Sequence, residues 1–334
     1  MKRALRLAKK GLGLTSPNPP VGAIIVAADE SILGSGYHRR AGEAHAEVEA
    51  IRSALKKHSA RALKSATLYV TLEPCSTTGK TPACTDAIIE QGFARVVYGC
   101  SDPNPDHKGR AKRLLARAGI AVTRGVLKEE CRFTIRFFAK VSTTGLPWVI
   151  AKSALTLDGH TSLPPGQGPW ITGKEALADV QKLRSQVDAI LIGGATLRQD
   201  NPRLTLRGVH ARRKRPQPWR IIVSRSGDLP SNARVFTDRH RHRTRVYEKC
   251  SLRQVLSKLV KVGVQSVMLE SGGKLLGSAL EANLIDEVVF YYAPIIGGGS
   301  THAVQAQNLA RRLSDMETKK FGSDLRIRGL IKHD

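Results

Sequence analysis

Zinc-binding residue types occur in the N-terminal half in an order that suggests hydrolytic chemistry. His45-Ala46-Glu47 is followed by Cys75, which comes directly after a proline, and then by Cys84. One imidazole and two thiolates leave the fourth position of a tetrahedral zinc ion open to water. Zinc lowers the pKa of such a water to about 7, and Glu47 would carry its proton to the pyrimidine and the leaving ammonia. This H-x-E and Pro-Cys pattern is typical of zinc nucleobase deaminases.

These residues fall where secondary structure can bring them together. His45 and Glu47 begin a predicted helix, so both side chains can point past its N-terminus into one pocket. Cys75 follows a predicted strand, and Cys84 lies in the first turn of the next helix, where the thiolate is favoured. The spacing between the cysteines is longer than C-x-x-C, which makes an enzyme that edits only tRNA bases less well supported.

The elements around these motifs alternate between strand and helix, which predicts an α/β chain of two domains, residues 1–143 and 147–334. A hinge is predicted at residues 142–147. Predicted strands are 21–27, 66–72, 95–100, 148–154, 189–193, 220–224, 266–270 and 287–293. Predicted helices are 45–57, 81–91, 108–118, 128–141, 174–186, 252–262 and 274–282, and a further helix is expected at the N-terminus.

Charge is the unusual feature of the composition. The 334 residues contain 54 Lys and Arg against 28 Asp and Glu, a net charge of +26. Residues 207–249 supply +10 of it, because thirteen basic residues face only Asp228, Asp238 and Glu248 there. Such a balance suggests a polyanionic partner, with nucleic acid as the first candidate. The 41% of hydrophobic residues excludes global disorder, and no apolar run is long enough to span a bilayer.

At the level of whole motifs, the sequence resembles the bifunctional riboflavin-biosynthesis deaminase/reductase family over nearly its entire length. The N-terminal stretches that carry the resemblance are PNPPVGAIIV (17–26), GYHRRAGEAHAEVEA (36–50), TLEPCSTTGKTPAC (71–84) and SDPNP (101–105). The resemblance implies a cytidine-deaminase-like layered domain, with His45, Cys75 and Cys84 as zinc ligands and Glu47 as the proton shuttle. It also implies a pyrimidine and phosphate pocket lined by Asn18, His38, Lys80, Asp102 and Asn104.

The C-terminal half resembles the reductase domain of the same family. The matching strings are AKSALTLDG (151–159), PWITG (169–173), LIGGATLRQDNPRLTLR (191–207) and LESGGKLLG (269–277). The resemblance implies a dihydrofolate-reductase-like fold, which explains why no G-x-G-x-x-G fingerprint is present. The implied NADPH contacts are Ala154, Trp170, Thr196, Asp200, Gly272, Gly273 and Lys274. The implied substrate contacts are Arg184, Leu204, Arg207 and Glu270, and the two guanidinium forks suit a phosphate ester.

Three positions depart from the family pattern. Thr77 stands where a substrate-binding histidine is usual, Gly168 replaces a common serine, and Arg225 lies in place of a second serine. They bear on substrate affinity and cofactor binding, and they keep open an enzyme with only one active domain. Arg225 itself is a hypothetical contact for the NADPH 2′-phosphate.

The resulting expectation is a two-step enzyme. The first domain would deaminate 2,5-diamino-6-(5-phosphoribosylamino)pyrimidin-4-one with zinc. The second would reduce the ribosyl chain of 5-amino-6-(5-phosphoribosylamino)uracil to ribityl with NADPH. Two rivals remain: a deaminase of nucleic-acid bases with an accessory domain, and a zinc-stabilised nucleic-acid-binding protein that would use the segment 207–249.

The expected partners are phosphorylated small molecules, with no nucleic acid and no membrane. The resemblance implies a homodimer formed through the reductase domain. Five sparse cysteines favour a reducing compartment, the cytoplasm. Phosphorylated substrates and NADPH explain part of the positive charge, but the cluster at 207–249 exceeds what they require.

Overall fold

The computed structural model describes residues 1–77, 82–105, 107–168, 170–212, 215–307 and 309–332. It divides the chain into two compact units, Met1–Gly145 and Leu146–Asp334. The domain limits predicted from the sequence, residues 143 and 147, lie on either side of this division. Among the described residues, no helix is both long enough and apolar enough to cross a bilayer.

The first unit is a five-stranded mixed sheet in the order β2-β1-β3-β4-β5, with β3, β4 and β5 parallel and β1 antiparallel to both its neighbours. Its strands are β1 (Gly22–Val26), β2 (Ile32–Tyr37), β3 (Thr67–Leu72), β4 (Arg95–Cys100) and β5 (Ala121–Arg124). Its helices are α1 (Lys2–Ala8, extended by a 3₁₀ turn at Lys9–Gly11), α2 (Ala46–Leu55), α3 (Ala60–Lys64), α4 (Cys84–Gln91), α5 (Arg110–Arg117), α6 (Lys128–Thr134) and α7 (Arg136–Thr144).

Helix α2 lies unusually close to strand β2, and this contact positions the start of the helix. A Cβ atom added at Gly36 would come within 2.6 Å of the Ala46 carbonyl oxygen, so only glycine permits the approach. Ala50 and Ala54 are fully buried on the same helix face. Small residues on both elements therefore hold the N-terminus of α2, with His45 and Glu47, at the edge of the sheet.

The second unit is an eight-stranded sheet in the order β12-β13-β11-β6-β10-β7-β8-β9. Strands β11, β6, β10, β7, β8 and β9 are parallel, and β13 is antiparallel to β11 and to β12. The strands are β6 (Trp148–Leu155), β7 (Ala189–Gly193), β8 (Trp219–Ser224), β9 (Thr244–Glu248), β10 (Ser266–Leu269), β11 (Glu287–Tyr292), β12 (Leu313–Phe321) and β13 (Asp324–Ile331).

The helices of the second unit connect these parallel strands and cover the sheet. They are α8 (Lys174–Arg184), α9 (Gly194–Asp200), α10 (Val209–Arg212), α11 (Arg234–Thr237), α12 (Leu252–Val260) and α13 (Gly273–Glu281), with a 3₁₀ turn at Arg241–Arg243. Leu191, Ile221 and Val267 on the central strands are fully buried. Because both faces of these strands are covered, they appear in the sequence as continuous apolar runs.

Some elements differ from the sequence-based expectation. The predicted helix 128–141 is two helices that meet at Ile135, and residues 142–144 of the predicted hinge belong to α7. Five strands were not predicted, and all of them are edge strands or belong to the C-terminal hairpin: β2, β5, β9, β12 and β13. Their exposed faces carry polar residues, as in LSDMETKKF of β12, so they lack the apolar run that marks a buried strand.

Candidate functional site

The three predicted zinc ligands lie together in the first unit. The Nδ1 atom of His45 is 3.2 Å from Sγ of Cys84 and 3.5 Å from Sγ of Cys75. The backbone N–H of Cys84 donates to Sγ of Cys75 over 3.1 Å. All three donor atoms fall within 4.8 Å of one another. One nitrogen and two sulfur donors at this separation fit a tetrahedral zinc ion with one position left for water.

The local elements explain this arrangement. His45 has extended backbone geometry at the residue before α2, and Cys84 is the first residue of α4. Cys75 follows β3 and accepts the amide of Cys84, so the start of α4 stabilises its thiolate. The hydrogen bond from Cys84 lowers the pKa of Cys75 to about 4, while the same contact and burial raise the pKa of Cys84. The hydrogen bond with Cys75 raises the pKa of His45.

Glu47 is the predicted proton shuttle of this site. It lies in the first turn of α2 and is 3% exposed. Burial, followed by the charge of the Cys75 thiolate, raises its pKa to about 7. A carboxyl group with such a pKa can both accept and release a proton near neutral pH, which is what a proton shuttle requires.

Asn18 and His38 form one wall next to the ligands. Nε2 of His38 accepts from Nδ2 of Asn18 at 3.2 Å, and its Nδ1 donates to the Ala44 carbonyl at 3.1 Å. The ring lies edge-on to that of His45, with centroids 5.2 Å apart. Burial lowers the pKa of His38, so the neutral ring is favoured in this position.

Asp102 and Asn104 line the loop after β4. The backbone N–H of Asn104 donates to Oδ1 of Asp102 at 2.8 Å, and burial raises the pKa of Asp102. Glu73, which sequence reasoning missed, anchors this loop: its Oε2 accepts the amides of Asp102 at 3.3 Å and Gly109 at 3.1 Å. The sequence signal that could have identified Glu73 is an acidic residue between an apolar strand and the Pro-Cys pair. The predicted phosphate ligand Lys80 lies outside the described residues.

The site in the second unit is organised by an ion pair between distant residues. Nε and Nη2 of Arg184 donate to the two oxygens of Glu270 at 2.7 and 2.6 Å, and Nη1 donates to the Thr205 carbonyl at 3.4 Å. Burial alone would raise the pKa of Glu270, but Arg184 reverses the shift and lowers it. In this structure the fork of Arg184 holds Glu270, so the predicted contact of Arg184 with the substrate phosphate stays a prediction.

Two further cations surround this pair. Burial and the nearby Arg184 and Arg203 lower the pKa of Arg207, whose side chain is exposed and available to a ligand. Lys152 on β6 was missed from the sequence. Burial lowers its pKa against the influence of Glu270, and its Nζ lies 5.9 Å from the Tyr291 ring centroid. A single lysine within an apolar strand was the signal for it.

The remaining predicted residues of the second unit lie on several different elements. Ala154 is near the end of β6, and Oγ1 of Thr196 is 3.0 Å from Oγ of Ser271. Leu204 is buried with φ +50°, which turns the chain between Arg203 and Arg207. Asp200 is exposed at the end of α9, and Trp170 is 61% exposed.

The glycine turn after Glu270 is partly occupied by the protein itself. Gly272 and Gly273 open α13, and Lys274 follows them. The Gly273 amide donates to the Ala303 carbonyl at 2.9 Å, so this amide is used within the protein. A Cβ atom at Gly272 would lie 2.9 Å from Cγ2 of Thr161. A second glycine turn, Gly193–Gly194, opens α9 in the same way.

Comparison with known proteins supports the predicted family for both halves of the chain. Residues 147–327 match the family model described as RibD C-terminal domain, and residues 1–100 match the cytidine and deoxycytidylate deaminase zinc-binding region. Riboflavin biosynthesis protein RibD of Bacillus amyloliquefaciens is 36% identical, with 99% of this chain and 95% of that protein covered. The chain belongs to the RibD family.

Solved RibD structures share the architecture. Acinetobacter baumannii RibD has a TM-score of 0.89 at 34% identity, covering 99% of this chain and 98% of its own. A Thermotoga maritima protein has a TM-score of 0.87 at 35% identity, covering 99% and 97%. It is described as a diaminohydroxyphosphoribosylaminopyrimidine deaminase/5-amino-6-(5-phosphoribosylamino)uracil reductase.

RibD membership confirms the two expected folds and the two expected activities. The first unit is a cytidine-deaminase-like zinc domain, and the second is the dihydrofolate-reductase-like, NADPH-dependent reductase domain. The chain is therefore a bifunctional enzyme of riboflavin biosynthesis. The rival interpretation as a zinc-stabilised nucleic-acid-binding protein without enzyme activity is wrong.

Proposed function

We propose that the first unit deaminates 2,5-diamino-6-(5-phosphoribosylamino)pyrimidin-4-one and that the second reduces 5-amino-6-(5-phosphoribosylamino)uracil. The single observation that carries the proposal is the meeting of His45, Cys75 and Cys84 beside the buried carboxyl of Glu47. The Thermotoga maritima relative is described by these two reactions, and it is matched over nearly the full length of both chains.

In the deaminase unit, His45, Cys75 and Cys84 would hold zinc. When bound, zinc acidifies the attacking water. Glu47 would carry one proton of the attacking water to the ring nitrogen and the second to the amino group, which leaves as ammonia. The neutral His38 holds the Asn18 side chain in place, because its Nε2 accepts from Asn18 Nδ2 while its Nδ1 is fixed on the Ala44 carbonyl, and the amide oxygen of Asn18 would then face the pyrimidine.

In the reductase unit, NADPH supplies the reducing equivalents when bound. The exposed Arg207 would bind the 5′-phosphate, because Arg184 and Arg203 lie close enough to add their charge. Glu270 stays ionised because Arg184 clamps both of its oxygens. Lys152, whose pKa is lowered by burial, is placed to give a proton to the ribosyl chain as that chain is reduced.

We also propose a cytoplasmic location and a homodimer formed through the reductase unit. All five cysteines are unpaired, as a reducing compartment would leave them. The substrates are phosphorylated small molecules. Light scattering of the purified chain and of the reductase unit expressed alone would test the dimer.

The test of the proposed function follows ammonia and NADPH separately in the zinc-loaded enzyme. Glu47→Ala should lower the rate of ammonia release from the diamino substrate by a factor of at least about 10². It should leave the rate of NADPH oxidation with the deaminated substrate unchanged. Glu49→Ala, on the same helix but paired with Arg39, is the matched control and should change neither rate. Ammonia release that survives Glu47→Ala would overturn the role of this residue.

A further inference from the structure

Four arginines alternate along a short segment of the second unit that neither reaction uses. Arg239, Arg241, Arg243 and Arg245 precede or begin strand β9, and we refer to them as the arginine strip. Between residues 239 and 249 the only acid is Glu248. Arg239, Arg241 and Arg245 are exposed. The strip thus concentrates positive charge on one short stretch of surface.

The protein offsets the charge of the strip only in part, because the charge of Asp188 acts on Arg243. In the ranges that the structure covers, none of the four guanidinium groups forms an ion pair with a carboxylate. The nearest acid in the chain, Asp238, is taken by the buried Arg220, which donates to its two oxygens at 2.7 and 2.9 Å. Unpaired like charges repel one another, so an external anion would stabilise this segment.

An indole ring fixes two of the guanidinium groups. The Cζ atoms of Arg243 and Arg245 lie 4.5 and 4.8 Å from the ring centroid of Trp219. Trp219 begins β8, and the register pairs its neighbour Arg220 with Thr244 on β9. Stacking holds the planar groups and leaves their N–H edges free to form hydrogen bonds. All four cations are arginine, whose fork matches two oxygens of a phosphate group.

The strip and the reductase site lie at opposite ends of the parallel strands. Strands β7, β8 and β9 are parallel, and the strip lies at their amino ends. Glu270, Gly193 and Ser271 lie at the carboxyl ends of the same sheet. A strand of five residues spans about 16 Å, which is beyond the reach of an arginine side chain. Neither NADPH nor the pyrimidine substrate at the carboxyl ends therefore accounts for the strip.

We propose that the arginine strip binds the phosphodiester backbone of nucleic acid, independently of sequence. This function is additional to the deaminase and reductase activities. The charge complementarity is that of phosphate-directed binding, in which each arginine displaces counterions from the duplex. Binding would not depend on the base sequence. The aromatic ring of this surface, Trp219, is covered by Arg243 and Arg245 and so is not open to stack on a base.

The experiment measures fluorescence anisotropy of a labelled 20-bp duplex of mixed sequence with the full-length, zinc-loaded enzyme at several salt concentrations. Arg239→Gln, Arg241→Gln and Arg245→Gln are combined in one variant, which leaves Arg243 against Trp219. The control combines Lys261→Gln, Lys319→Gln and Lys320→Gln, three exposed cations of the same unit that change the net charge equally.

The wild type should bind with an affinity that falls steeply with salt. The strip variant should bind at least about tenfold more weakly, with a log–log salt slope shallower by about 2 to 3, since each lost phosphate contact removes about one unit. The lysine control should keep the wild-type slope. Both variants should retain ammonia release and NADPH oxidation, which shows that they are folded.

Three outcomes would overturn the proposal. The wild type fails to bind the duplex, or the two triple variants lose the same affinity, in which case only overall charge matters. The third is strip-dependent binding to vesicles containing phosphatidylserine without binding to the duplex, which would identify the surface as a membrane contact. None of these results bears on the two enzyme activities, so the proposed function is tested separately.

Discussion

The two units hold their reacting groups by different means. In the deaminase unit, three ligands from the starts of α2 and α4 and the end of β3 converge within 4.8 Å, where one metal ion can join them. In the reductase unit, the corresponding role belongs to an ion pair between Arg184 and Glu270, which are 86 residues apart. A metal site is specified by a few rare residue types, whereas the ion pair depends on the whole sheet bringing α8 and β10 together.

This contrast predicts that a chelator produces the largest difference between the two activities. Removing zinc should lower ammonia release by more than about a thousandfold, because a catalytic metal contributes several kcal/mol to transition-state stabilisation. NADPH oxidation with the deaminated substrate should not change. Parallel assays before and after dialysis against chelator, with zinc added back as the control, measure both effects. Equal loss of both activities would contradict independent sites.

The second strongest effect should come from Glu270→Gln. It leaves the Arg184 guanidinium buried without its anion, a loss that typically costs about 3–5 kcal/mol. NADPH oxidation should fall below detection and the melting transition of the reductase unit should drop by about 6 °C or more. Ammonia release should persist. Glu248→Gln, an exposed acid of the same unit, is the control, and a normal melting curve for Glu270→Gln would refute the clamp.

Asp238→Asn tests a weaker connection within the reductase unit. Arg220 binds Asp238 and also donates to the carbonyl of Arg203 at 3.2 Å, so the pair supports the loop that carries Arg207. A lost charge-assisted hydrogen bond costs about 1.5–3 kcal/mol. We expect KM for the reductase substrate to rise severalfold with a smaller change in kcat. Asp228→Asn provides the comparison, and an unchanged KM would separate the pair from the loop.

The smallest predicted effect concerns a helix cap and should spare both activities. Oγ of Ser251 accepts the Gln254 amide, and the Gln254 side chain accepts the Ser251 amide, which forms a capping box at the start of α12. Ser251→Ala should lower the free energy of unfolding of the reductase unit by about 1 kcal/mol. Denaturant titration measures the change, with Ser257→Ala on the same helix as the control. A loss of NADPH oxidation would show that α12 affects the site.

The deaminase site was largely predictable from its residue types. His45, Glu47, Cys75 and Cys84 have few alternative roles at this spacing, and the predicted helices and strands placed them near one another. Glu73 was not predicted, because an acid that accepts two backbone amides cannot be distinguished in sequence from a surface carboxylate. Edge strands β2 and β9 were missed for a related reason: an exposed face removes the apolar run.

The reductase residues became recognisable only through whole strings that resemble a family. Arg184 and Arg207 look alike in the sequence, yet one is clamped to Glu270 and the other remains exposed. Only the order of the strands decided which arginine is paired, because β10 lies beside β7 and brings Glu270 to the end of α8.

The sequence by itself determined the chemistry of the metal ligands, the two α/β units and the concentration of charge at 207–249. The tertiary structure decided which charges are used within the protein: Arg184, Arg220 and Asp238 are in ion pairs, while the arginine strip forms no carboxylate ion pair among the described residues. The physical reason is that ligand identity is a property of single residues. Pairing depends on distance, and the distance between residues far apart in the chain exists only after folding.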